Sequence, residues 1–141
     1  MSRCPDQEMG RFRLAVWACL VWNLFNVGRF WMLEMHLAPG FLQPVVEWLD
    51  GLPLYMLILR EASVYAPLAG AGLMLLRSRH AAVAFVIGFA ASAACYSQIM
   101  LHHFGDPRCT LLVQWVLAVR QIAIGVQWWL ARRMFWAGYL D

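Results

Sequence analysis

LPLYMLILREASVYAPLAGAGLMLL, residues 52–76, places two opposite charges, Arg60 and Glu61, side by side in an otherwise mostly apolar run. A helix needs about 20 residues to cross about 30 Å of hydrocarbon, so the run reads as a membrane span with an ion of each sign at depth. Neighbouring residues point about 100° apart around a helix and do not face each other. Arg60 and Glu61 therefore cannot cancel one another, and each needs a partner from a different helix. The expected fold and the expected site both follow from that requirement.

The whole chain has the same character. Of its 141 residues 62% are apolar and 13% charged, with a mean hydropathy of +0.59. A soluble domain of this size needs more polar residues to cover its surface. Segments 14–33, 81–104 and 110–130 are also long and apolar enough to span. With 52–76 they predict an all-α polytopic membrane protein, a four-transmembrane-helix bundle forming a single domain over residues 1–141. The first segment carries Asn23, Asn26 and Arg29, and no small-residue cleavage site follows it, which argues against a signal peptide.

All eleven basic residues are arginine, as a GC-rich coding bias would give. No basic patch is interleaved with solvent-facing aromatics, so no nucleic-acid partner is expected. Topology explains the arginines better. Arg3, Arg11 and Arg13 precede span one, Arg77 and Arg79 separate spans two and three, and Arg132 and Arg133 follow span four. The opposite loops hold Glu34, Glu47, Asp50 and Asp106 against Arg108 alone. The positive-inside bias places both termini in the cytoplasm. Trp31, Trp48 and Trp115 fall at the outer boundary and Trp17, Trp128, Trp129 and Trp136 at the inner one, the headgroup zones that tryptophan prefers. In the first outer loop, EMHLAPGFLQPVVEWLDG (34–51), Pro44 can start and Gly51 can end a short interfacial helix. Cys4, Cys19, Cys95 and Cys109 show no CxxC spacing, and no disulfide is expected.

Small residues repeat every fourth position at Ala62, Ala66 and Gly70, and again at Gly88 and Ser92, a pattern of close bundle packing. LILRE (57–61) and LAVRQ (117–121) lie sixty positions apart on spans of the same direction, a match short enough to be chance or the trace of a duplicated hairpin.

Charges at such depth usually face a bundle interior or a wet cavity and pair there. The candidate ligand-binding residues are Asn26, Arg29, Arg60, Glu61, Tyr65, Tyr96, His103, Arg120 and Gln121. Most lie at or outside the midplane, which predicts a polar pocket opening outward. Pro67, unable to donate to the Ser63 carbonyl, is expected to bend span two and widen the bundle there. Three arginines against one deep glutamate imply an acidic partner: an anionic or oxygen-rich ligand, a lipid headgroup, or an acidic residue of another subunit. The plainer alternative has Arg29 snorkelling to the outer interface and Arg120 bonding carbonyls or glutamines.

Glu34, His36, His102, His103 and Asp106, with Met35 and Met100 close by, could converge near the outer face, and such a set would suit copper, zinc or a b-type haem. No two of the histidines show the i, i+4 spacing of a strong ligand pair, so no metal site and no named cofactor are expected. There is no nucleotide loop, serine elbow or zinc-protease motif. Acid–base work by Glu61 with Tyr65, Tyr96 or His103 on a lipid-soluble substrate is open, and no residue pattern specifies it.

WNLFNVGRF (22–30), the turn RSRHA (77–81) and the ending VQWWLARR (126–133) resemble those of small bacterial four-helix membrane proteins of the DoxX-like kind, and of short inner-membrane proteins often labelled sugar transporters. The resemblance implies a compact four-helix bundle in the bacterial inner membrane, and it transfers no catalytic residue. Three functional expectations stand: a ligand-binding protein, with a small homodimeric or larger homo-oligomeric transporter as one form; an accessory subunit of a larger membrane complex; and a membrane enzyme acting on an isoprenoid, quinone or lipid.

Overall fold

The computed structural model describes residues 5–37, 47, 50–103 and 111–140. Among these the protein is all-helical, with four long helices: α1 (Pro5–Glu34), α2 (Leu54–Leu75), α3 (Ala81–His103) and α4 (Leu111–Trp136). They match the four expected segments, except that α1 begins nine residues before Leu14 and α4 runs six past Leu130. Hydropathy sees only the hydrocarbon-length part of a helix. Pro5 is tolerated in the first turn, where its missing N–H costs nothing, and Arg132 and Arg133 suit the negative end of the α4 dipole. By length and composition only α3, over Ala81–Gln98, qualifies as a span among the described residues. The other three carry arginine, glutamine or asparagine within their apolar runs. Of the expected interfacial helix, Glu47 and Asp50 are helical and exposed, and the remainder falls outside the described residues.

Three helices close with the same device. The N–H of Leu37 bonds the Met32 carbonyl, that of Ser78 bonds Leu73, and that of Tyr139 bonds Met134, each at 2.9 Å. Each is the long bond of a Schellman cap, and the residue before it adopts a left-handed conformation. That residue is His36 (φ 53°), Arg77 (φ 57°) and Gly138 (φ 70°). Antiparallel helices can therefore follow one another through short turns, as α2 and α3 do.

The helices run up and down in sequence, with close backbone approach between α1 and α2, α2 and α3, and α3 and α4. The most intimate pair is α2–α3. A Cβ on Gly88 would lie 2.6 Å from the Pro67 ring carbons, and one on Gly70 would lie 3.0 Å from the Phe85 ring. The small residues thus serve packing within one chain. Pro67 does not interrupt α2, and its fully buried ring is a close contact with α3 rather than an opening there. At the end that holds the N- and C-terminal residues, Val16, Cys19, Ala71, Met74, Phe85, Ala131, Met134 and Leu140 form the largest core, drawn from all four helices. Through side chains α1 meets α4 at Asn23–Gln127 (2.8 Å) and the segment just after α4 at Phe12–Tyr139 (ring centroids 5.7 Å apart).

Candidate functional site: a polar crevice between three helices

Polar side chains gather near the middle of the bundle. Asn23 and Asn26 each donate from Nδ2 to the carbonyl one turn back, Cys19 and Trp22 respectively, at 2.8 Å. Asn23 also donates to Gln127 Oε1 of α4. Each of these three buried carboxamides thus has at least one protein hydrogen bond, the condition for keeping it in an apolar interior. Ser63 donates its hydroxyl proton to the Arg60 carbonyl at 2.6 Å and accepts from Arg120 Nη2 at 2.9 Å. Pro67, one turn on, leaves the Ser63 carbonyl without its helical donor, so this turn of α2 is richer in acceptors than the rest. Together Asn23, Asn26, Ser63 and Arg120, with apolar Trp22 and Ile124, line a crevice of about 190 Å³ counted with its open mouth, too narrow to admit a water molecule.

Arg60 lies beside this crevice and is held differently. It forms an ion pair with Glu34, the last residue of α1, and its guanidinium lies 5.0 Å from the centroid of the Phe30 ring. Phe30 in turn meets the Tyr65 ring edge-on at 5.9 Å. A cation over an aromatic face and against a carboxylate is well compensated. Arg60 Nε, however, is buried with no partner among the described residues, as is Gln121 Oε1. Gln121 donates its amide to the Phe89 carbonyl at 3.2 Å, tying α4 to α3.

The expected site residues therefore divide. Asn26 and Arg120 line the crevice. Arg60 and Tyr65 belong to the neighbouring cluster on Phe30, and Arg29 is half-buried within electrostatic reach of Arg120. Gln121 faces α3. Tyr96 is half-buried, and Glu61 is exposed with no ion-pair partner among the described residues. The side chains of His102 and His103 lie outside the described residues. His36 is exposed, with Nε2 3.7 Å from Asp50 Oδ2. Among the described residues no three of His, Cys, Asp and Glu converge as a metal site would require.

Sequence reasoning did not assign Glu34 to Arg60, because Glu34 reads as a loop residue once the span is ended at Leu33. It also left Ser63 and Gln127 out of the polar set. The available signal was spacing: Ser63 lies one turn from both Arg60 and Pro67, and Asn23 and Asn26 lie one turn from each other. Comparison with known protein families, with curated proteins and with solved structures finds no match.

Proposed function

We propose that the chain is a four-span protein of the bacterial inner membrane that binds an anionic or oxygen-rich ligand at Arg120, on the edge of the polar crevice, a small transporter being one form of such a protein. The membrane reading is supported by an inverted surface. Phe25 and Ile122 are 65% and 67% exposed, whereas Asn23 and Gln127 are 4% exposed. A water-soluble bundle sorts these residue types the other way. Only 39% of the most apolar window, Ala81–Gln98, is buried within the fold, where the core helix of a soluble protein would be mostly covered. Trp115 and Trp136, both exposed, are separated by about 31 Å of helix, the thickness of a hydrocarbon core.

One observation carries the ligand reading: Arg120 meets a neutral hydroxyl where Arg60 meets a carboxylate. An ion kept at this depth needs charge compensation, and the described residues supply it to Arg60 and not to Arg120. An anion bound at Arg120 completes the balance. The test is binding of small anions to the purified protein by calorimetry. Arg120→Leu should abolish the heat while circular dichroism remains unchanged; unaltered binding in that variant would refute the assignment.

Glu61 favours a second reading. A carboxylate exposed on the lipid side of α2, about 10 Å along the helix from Leu54, would be compensated by a cation on another chain, which suits an oligomer or an accessory subunit. Crosslinking of Glu61→Cys in native membranes would show one partner band; a stable monodisperse monomer would exclude it.

A further inference from the structure

The hydrogen bond from Asn23 to Gln127 fixes the register between α1 and α4, which run in opposite directions. From that bond toward the end of α1 that carries Glu34, Arg29 lies six residues along α1 and Arg120 seven residues along α4, about 9 and about 10.5 Å of helix. The two arginines therefore stand at one level. They also face one seam. Arg120 heads a stripe of α4 that continues through Ile124, Gln127 and Ala131, all buried, at the spacing of a single helix face. Arg29 continues, three and seven residues on, the stripe of Asn26 and Trp22 that lines the crevice together with Arg120. Glu34, about 140° from Arg29 around the helix, turns to Arg60 of α2 instead.

Nothing among the described residues compensates this pair. The ion pairs there are Arg60–Glu34 and His36–Asp50, and Arg120 gives one of its five N–H donors to the Ser63 hydroxyl. Arg29 and Arg120 lie within electrostatic reach of each other, so each raises the cost of the other's charge. The seam is closed below them and unpacked above. No residue of α1 from Trp31 to Glu34, and none of α4 from Gln114 to Ala123, is buried, whereas Ile124 starts the buried stripe beneath. Arg29 is about 7.5 Å of helix short of Glu34, the end of α1. Under the membrane reading the pair is therefore within snorkelling reach of the outer head-group zone.

We propose that Arg29 and Arg120 together clasp one doubly charged phosphate group, free or as the terminal monoester of a lipid head group, that enters the α1–α4 seam from its outer end. This rests on the reading of Arg120 as an anion site and adds a second binding residue and the charge class of the ligand. Two unmatched guanidiniums call for two negative charges. A carboxylate or a phosphodiester brings one, whereas a phosphate monoester brings about −1.5 to −2 and three acceptor oxygens. Those oxygens can meet two planar donor forks from adjacent helices at once. The ligand arrives already ionised from the head-group side. It neither crosses the apolar interior nor gives up a proton at the seam, and the crevice beneath it stays dry.

The experiment uses the full chain in non-ionic detergent at about pH 8, where a phosphate monoester carries both charges. Inorganic phosphate and acetate are titrated by calorimetry, and phosphatidic acid and phosphatidylglycerol by native mass spectrometry. Inorganic phosphate, phosphatidic acid or both should bind at one per chain, about tenfold or more tighter than the singly charged acetate and phosphatidylglycerol. Phosphatidic acid binding alone identifies a lipid head group, and inorganic phosphate binding identifies the free group. Arg29→Gln and Arg120→Gln should each weaken binding by about tenfold to a hundredfold, the loss of a charge-assisted contact. Arg29→Lys should retain more of it than Arg29→Gln, which separates loss of charge from loss of fold. Binding that falls with Arg120→Gln and not with Arg29→Gln leaves an anion site at Arg120 and overturns the clasp. So do singly charged probes that bind as tightly as the doubly charged and are lost with Arg120→Gln. Binding indifferent to both substitutions, or failure of every anion, overturns both the clasp and the anion site.

Discussion

The two halves of the bundle differ in what shares the interior with their apolar side chains. Toward the chain termini, Phe85, Met74, Met134 and Val16 are buried to within about two per cent, and hydrocarbon fills the interior from all four helices. Toward the other end a smaller apolar cluster of Leu52, Met56 and Cys95 shares the interior with Arg60 and Glu34, Arg120 and Ser63, and two buried polar atoms that lack partners among the described residues. Under the membrane reading proposed above, the hydrophobic effect does not draw helices together, and association rests on close packing and on interhelical hydrogen bonds. The terminal half supplies the first. The charged half supplies the second and keeps a surplus of donors, which is where stability is given up and chemistry becomes possible.

That contrast can be broken most severely in the packed half. Phe85→Ala removes a fully buried ring that lies on Gly70, and a loss of about 3 kcal/mol is expected from the dispersion contacts that no neighbour replaces. Thermal unfolding in detergent would register it. Gly88→Ala attacks a second contact of the same α2–α3 pair by overfilling it, since the Pro67 ring is rigid and cannot move aside as a flexible side-chain tip could. A loss of about 2 kcal/mol is expected in the same assay.

In the charged half the expected effects are smaller and depend on the pairing. Glu34→Gln leaves Arg60, whose side chain is 14% exposed, without its counter-ion, and about 1–2 kcal/mol should be lost, less than for a fully buried pair because Glu34 is partly exposed. The double change Glu34→Leu with Arg60→Met should recover most of it, because an ion pair and a well-packed apolar pair are nearly interchangeable in stability. Failure to recover in chemical denaturation would show that Arg60 has other obligations. Asn23→Ala removes the α1–α4 bond to Gln127 and, if the bundle sits in lipid as proposed, should cost about 0.6 kcal/mol, the usual size of an interhelical bond there.

The smallest stability effect, and the most informative for function, is expected at Arg120. Arg120→Met should leave the melting temperature unchanged or slightly raised, because a guanidinium held by one hydroxyl contributes little net stability at such depth. A fall as large as that of Phe85→Ala would mean that Arg120 is a structural brace.

Much of this organisation was legible along the chain. Long apolar runs are local in sequence, and a helix satisfies its backbone hydrogen bonds internally, so the four helices at 5–34, 54–75, 81–103 and 111–136 could be expected without knowing their neighbours. The requirement that Arg60 find its partner on another helix was local too, since it follows from the angle between adjacent side chains. Depth was only partly legible: the polar residues were expected mostly on the outer side, whereas the crevice lies nearer the middle, because rotation about each helix axis decides which residues at a given level turn inward.

By itself, then, the sequence determined the number of helices, their lengths and the surplus of arginine over acid within them, all properties of composition and of a 3.6-residue period. Only the tertiary structure decided that Glu34 goes to Arg60 while Arg120 meets a serine, that Glu61 faces outward, and that Pro67 lies in the α2–α3 contact. Those are relations between helices, set by which ridges and small residues allow two backbones to come close, and no single segment contains that information.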